Sequence, residues 1–77
     1  MKEVTIYSTS SCHYCQLAKA YFKDHNISYT EYNVGENAEK RKEMVELTGQ
    51  LGVPVIQVGD TVLVGFQEKM VADLLAS

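Results

Sequence analysis

The sequence predicts a small α/β domain with a mixed four-stranded sheet, its elements ordered β-α-β-α-β-β-α. Three observations predict it. A short alternating strand, Val4-Thr5-Ile6-Tyr7, gives way to a helical stripe at Tyr14, Leu17, Ala18, Tyr21 and Phe22, and a second strand-like run follows. A charged, helix-forming stretch occupies the middle of the chain. Gly59-Asp60 then separates two apolar runs as a two-residue hairpin does, and an amphipathic stretch closes the sequence.

The first helix starts where Ser10, Ser11 and Cys12 stand near the N-cap, with Cys15 in its first turn. It carries Lys19, Lys23 and Asp24 away from the apolar stripe and stops near His25-Asn26, since Asn tolerates the left-handed C′ conformation. Tyr14, Tyr21 and Phe22 read as core, with a second role open to Tyr14 beside the cysteines. Ser28 to Val34, rich in β-branched and aromatic residues, forms the second strand. Strand, helix, strand makes a right-handed parallel crossover.

Gly35-Glu36-Asn37 breaks that strand, and Asn37 caps a helix from Ala38 to Thr48 with Gly49 as its C′ residue. Glu36–Lys40 and Glu39–Lys42 are spaced as helical ion pairs, so Glu39-Lys40-Arg41-Lys42-Glu43 reads as a solvated face. Met44, Val45 and Leu47 turn inward. Gly52-Val53-Pro54 opens a third strand, Val55 to Val58, because Pro cannot donate to a ladder and belongs at a strand's first residue or edge. Thr61 to Val64 returns as the fourth strand, and Gly65 ends it. The last helix, Gln67 to Ala76, places Met70, Val71, Leu74 and Leu75 on one side.

Seventy-seven residues read as one domain, 1–77, with a small core. A net charge of −3 argues against nucleic acid as a partner. Met1-Lys2-Glu3 runs straight into strand residues, which leaves no room for a secretory signal, and no apolar run approaches the roughly 20 residues of a membrane span. These features point to the cytoplasm. A cysteine pair there is more often catalytic or metal-binding than a staple.

The chemistry concentrates in Ser10-Ser11-Cys12-His13-Tyr14-Cys15, which holds the only two cysteines. First-turn amides lack intrahelical partners and the macrodipole adds positive charge, so a thiolate at Cys12 accepts from the amide of Tyr14 or Cys15. Residues three apart on a helix are close enough to close a disulfide with little backbone movement. The stretch reads as a redox dithiol. A zinc site needs four ligands, but no second cysteine pair exists, His13 points elsewhere on the turn, and His25 sits about three turns away. Two inert buried thiols remain the other alternative, although a strand-to-helix corner hides thiols poorly.

The whole chain resembles the glutaredoxin family. The likeness rests on Ile6-Tyr7-Ser8, Cys12-His13-Tyr14-Cys15, the run from Asn37 to Met44, Val53-Pro54 and the Gly65 turn before the last helix. It implies a thioredoxin-like fold with strand order 2-1-3-4, the first and third helices on one face, and a cis Val53–Pro54 bond beside the dithiol. It also implies that Cys12 is the exposed nucleophile and Cys15 the buried resolving thiol. Glutathione would be flanked by Tyr14, paired with the backbone of Val53 next to Pro54, met at its glycine carboxylate by Gln50, and held at its γ-glutamyl end by Gly65, Phe66 and Gln67.

Three departures bear on that glutathione site. Thr9 stands where many members have a Lys, Gly52 replaces a Thr before Val-Pro, and Gly65-Phe66-Gln67 replaces a Gly-Gly turn followed by Asp. The Gly-Phe step is similar to short redoxins that take electrons from thioredoxin reductase and supply ribonucleotide reductase, though their Trp and Arg are missing. The resemblance therefore implies a monomeric, cytoplasmic oxidoreductase without a bound cofactor or metal. Its partners are glutathione as co-substrate and disulfide-containing or glutathionylated proteins. A thioredoxin reductase-dependent redoxin is the first alternative, and an iron–sulfur cluster module the second.

Overall fold

In the computed structural model, which describes residues 3–76, the strand β1 (Val4–Ser8) lies inside the sheet and feeds the helix α1 (His13–Asp24). Met1 and Lys2, read above as leading into the first strand, and Ser77 lie outside the described residues. There follow β2 (Thr30–Asn33), α2 (Ala38–Thr48), β3 (Val55–Val58), β4 (Thr61–Val64) and α3 (Glu68–Ala76). The sheet order is β2-β1-β3-β4, as the resemblance implied. β1 runs parallel to β2 and antiparallel to β3, and β4 pairs antiparallel with β3. Tyr7 faces Val55 and Val55 faces Val64, so the end of β1, the start of β3 and the end of β4 meet at one end of the sheet.

The period-2 alternation of the strands divides the core between two faces. Val4, Ile6, Ile56, Val58 and Leu63 pack with Ala18 and Phe22 of α1 and Val71 of α3. Tyr7 and Val55 pack on the other face with Val34 and with Met44 of α2. The first and third helices therefore share one face, with α2 on the opposite one.

Local signals held where a backbone requirement backed them. Asn37 caps α2, its side-chain oxygen accepting from Lys40 N–H at 3.1 Å. Gly49 ends the helix at φ 76°, in the left-handed region that favours glycine.

The rotation of each helix differs from the reading above. On α1 the buried stripe is Cys15, Ala18 and Phe22, while Tyr14 is 61% and Leu17 41% exposed. At about 100° per residue, Leu17 falls far from the centre of that stripe. On α3 Met70 is exposed for the same reason, lying one residue off the buried Val71. On α2 only Met44 is buried, and Leu47, expected inside, is exposed and lines a cleft together with Thr5, Tyr7 and Tyr32. Lys40 pairs with Glu43 at 2.9 Å and lies 4.3 Å above the Tyr32 ring; Glu36 precedes the Asn37 cap and stands outside the helix, so the helical spacing does not apply to it. Among the described residues Glu39–Lys42 is not an ion pair either. β2 is shorter than Ser28–Val34, since its register with β1 begins only at Thr5–Thr30. The last helix starts at Glu68, one residue late.

Candidate active site

Cys12 is the N-cap of α1, with extended backbone angles of φ −87° and ψ 114°. Cys15 N–H donates to its Sγ at 3.2 Å, so the sulfur takes the place of a capping oxygen and satisfies a first-turn amide. Both cysteines are free; Cys12 is half-buried and Cys15 fully buried. Burial, then the hydrogen bond with Cys12, pushes the Cys15 thiol up to about 12, while the Thr9 backbone and the Lys19 ammonium pull the other way. One thiol thus faces solvent, and the other is held neutral behind it.

The opposite wall is the cis Val53–Pro54 peptide, which the register places next to the Tyr7–Val55 pair and abreast of Ser8. Pro54 is fully buried, and its carbonyl accepts from Gly65 N–H at 2.7 Å. That bond ties the β4–α3 turn to the same end of the sheet, with Gly65 at φ 87°. Phe66 packs toward α1, its ring 5.9 Å from Tyr21. Gln67 folds back so that Nε2 donates to Val64 O at 3.0 Å.

Cys12, Cys15, Val53, Pro54, Gly65, Phe66 and Gln67 are therefore brought to one end of the sheet. Tyr14 projects into solvent there, edge-on to His13 at 5.6 Å. Gln50 is exposed on the loop after α2, where the Thr48 hydroxyl fixes its backbone and its side chain lies beside Gly52. Two clefts, ≈ 500 Å³ and ≈ 390 Å³, run along β2 and α2 and have none of these residues in their walls.

Sequence reasoning missed a polar cluster that joins β1, α1 and β2. Ser8, nearly fully buried, donates to Glu31 Oε2 at 2.7 Å, and Lys19 Nζ donates to the same oxygen at 2.9 Å. The signal that could have found it is alternation: Ser8 follows Val4 and Ile6 on the inward side of β1.

Among the described residues no group of three or more His, Cys, Asp or Glu could hold a metal ion. No helix among them is long and apolar enough to cross a membrane.

A cysteine pair of this kind, on a thioredoxin-like fold, defines the class of thiol oxidoreductases. The chain belongs to the glutaredoxin family, whose model matches residues 4–63. It is 38% identical over 72 residues to an uncharacterised glutaredoxin-like 8.6 kDa protein in the rubredoxin operon of Clostridium pasteurianum, covering 94% of this chain and 96% of that one. It is 32% identical over 71 residues to the glutaredoxin-like protein NrdH of Lactococcus lactis subsp. cremoris, covering 92% and 97%. Among solved structures, the glutaredoxin-like NrdH-redoxin of Escherichia coli, a protein with a thioredoxin-like activity profile, superposes with a TM-score of 0.81 at 26% identity, covering 94% and 93%.

Proposed function

We propose that the chain is a cytoplasmic, monomeric dithiol reductase of protein disulfides and glutathione mixed disulfides. The observation that carries this reading is a half-exposed Cys12 at a helix N-cap with a fully buried Cys15 three residues on. The Cys12 thiolate attacks one sulfur of the substrate disulfide, and the other leaves with the bonding electron pair and takes up a proton. Cys15, once deprotonated, attacks Cys12 Sγ; the Cys12–Cys15 bond forms as the mixed disulfide breaks. Two electrons pass to the substrate, leaving an oxidised dithiol.

Glutathione is the first donor to consider. Two molecules reduce the Cys12–Cys15 bond in turn and leave as glutathione disulfide. Tyr14, the Val53 backbone beside Pro54, Gln50 and the Gly65-Phe66-Gln67 turn supply the contacts. The γ-glutamyl carboxylate meets backbone amides opening α3, but its ammonium finds only the neutral carbonyl of Gln67. Hydrogen bonds to charged groups contribute ~1.5–3 kcal/mol against ~0.5–1.5 for neutral ones, so a carboxylate here should recover about 1 kcal/mol. Gln67→Asp is therefore expected to lower KM for a glutathionylated substrate several-fold. An unchanged KM would count against glutathione at this turn.

A second reading replaces glutathione by a flavoprotein reductase of the thioredoxin reductase type, with ribonucleotide reductase as an acceptor. It is favoured by charge. Residues 4–18, 49–58 and 61–67, which build this end of the sheet, contain no Asp, Glu, Lys or Arg. Glutathione has two carboxylates and an ammonium to satisfy, whereas a protein disulfide can dock on an uncharged surface. The likeness to two NrdH proteins agrees with this reading. Docking should then depend little on ionic strength: kcat/KM for a protein disulfide should change by less than about twofold between low and high salt. A steep fall with salt would place charged contacts in the encounter.

One experiment tests both donors. Disulfide reduction is coupled to glutathione with its reductase in one arm and to thioredoxin reductase in the other. Turnover in either arm supports the dithiol reading and identifies the donor. Failure in both, with the protein folded and reduced, rejects it.

A further inference from the structure

The Lys19–Glu31–Ser8 cluster has no role in the exchange steps above, yet its lysine stands on the same helix as the resolving thiol and acts on it electrostatically. Lys19 is four residues after Cys15 on α1, so the two side chains share a face one turn apart. Helical side chains lean toward the N-terminus, which lays the Lys19 stem over the turn that holds Cys15. The ammonium is held in place. It donates to Glu31 Oε2 at 2.9 Å, and the side chain retains only 18% exposure. The same oxygen accepts from Ser8, which is 1% exposed and adjoins Thr9, the residue whose backbone faces Cys15.

We propose that Lys19, fixed by Glu31 and Ser8, is the positioning cation of the resolution step, favouring the thiolate of Cys15 when it attacks the mixed disulfide. The inference rests on the dithiol reading. Cys15 needs such help because burial disfavours its charged form, and the ammonium of Lys19 acts in the opposite sense. The bond changes are those given above: Cys15 sulfur bonds to Cys12 sulfur, the substrate sulfur leaves with the electron pair, and the Cys15 proton passes through solvent to that leaving thiolate.

The other groups around the pair are few. Cys12 faces Cys15 from the N-cap, Tyr29 acts on Lys19, and Lys23 acts on Glu31 from the next turn of α1. The β3 and β4 side offers none, since residues 53–58 and 61–67 carry no titratable side chain. The Lys19 ammonium and the Glu31 carboxylate strengthen each other's charged forms through their shared hydrogen bond, so the cation persists across the neutral range.

The test uses the reduced protein and an aromatic disulfide that releases a coloured thiolate at each step. The first phase reports attack by Cys12 and the second attack by Cys15. Lys19→Gln is expected to slow the second phase roughly three- to tenfold near neutral pH and to move its pH midpoint upward, because a lost cation favours the thiol. The first phase should not change, and Lys19→Arg should restore the second. The double variant K19Q/E31Q should be no slower than K19Q, since Glu31 acts only through Lys19. Equal slowing of both phases, an unmoved pH midpoint, failure of Lys19→Arg to rescue, or further slowing in the double variant would each overturn the proposal. A thermal melt of every variant identifies any loss of fold, and a melt unchanged in K19Q beside a slowed second phase supports positioning. Absence of a second phase in the unmutated protein would instead sink the dithiol reading itself.

Discussion

Cys12→Ser is expected to abolish every disulfide-exchange activity of the chain, whereas Cys15→Ser should abolish only reactions that end in the Cys12–Cys15 disulfide. The asymmetry follows from position. Cys12 is half-exposed at the N-cap, and its sulfur already accepts from the Cys15 amide; Cys15 has no solvent exposure. An incoming disulfide can reach the first sulfur only. A serine hydroxyl in its place has no nucleophilic strength at neutral pH without an adjacent base. Release of glutathione from a mixed disulfide needs one protein thiol and external thiol, so it should survive in Cys15→Ser. Reduction of a protein disulfide with insulin-type turbidity and deglutathionylation of a small peptide would be followed for both variants. Activity retained by Cys12→Ser would reverse the roles.

Phe22→Ala should bring the domain to the edge of unfolding. Phe22 is fully buried on the α1–α3 face, among Val4, Ile6, Ile56 and Val71, with its ring 5.2 Å from that of Tyr29. Truncating a buried Phe costs ~3–5 kcal/mol, the lost transfer energy adding to the cavity left behind. Domains of this size have a total stability on the order of 4–12 kcal/mol. Urea unfolding of the reduced protein should therefore show the midpoint falling by a large fraction. A loss under about 1.5 kcal/mol would mean that the face collapses around the gap, and that Phe22 is not its main plug.

What could be read from the residues alone followed from local chemistry. The N-cap at Asn37, the left-handed Gly49 and the Gly59-Asp60 hairpin each meet a backbone requirement within a few residues. The setting of the dithiol was legible for the same reason, because a Cys at an N-cap makes its own hydrogen bond to the first turn. Strand order and the cis Val53–Pro54 bond came from family resemblance, not from the pattern of residues. Helix rotation was less legible. Tyr14, Leu17, Leu47 and Met70 are apolar at nearly helical spacing, yet the sheet covers only a narrow stripe of each helix and leaves them outside. Least legible was the Ser8–Glu31–Lys19 cluster. Its members are 12 and 23 residues apart, and only the β1–β2 register and the packing of α1 bring them together.

Cys12 takes the substrate and Cys15 releases it, and trapping the intermediate probes this division of labour. The Cys15→Ser variant would be mixed with a glutathionylated peptide, quenched with acid and mapped by peptide mass spectrometry; the Cys12→Ser variant would be treated identically. A stable mixed disulfide is expected on Cys12 in the first variant, none on Cys15 in the second, and a Cys12–Cys15 bond in the unmutated protein after reaction with a protein disulfide. An adduct on Cys15 in Cys12→Ser, formed as fast as the Cys12 adduct, would contradict this division of labour.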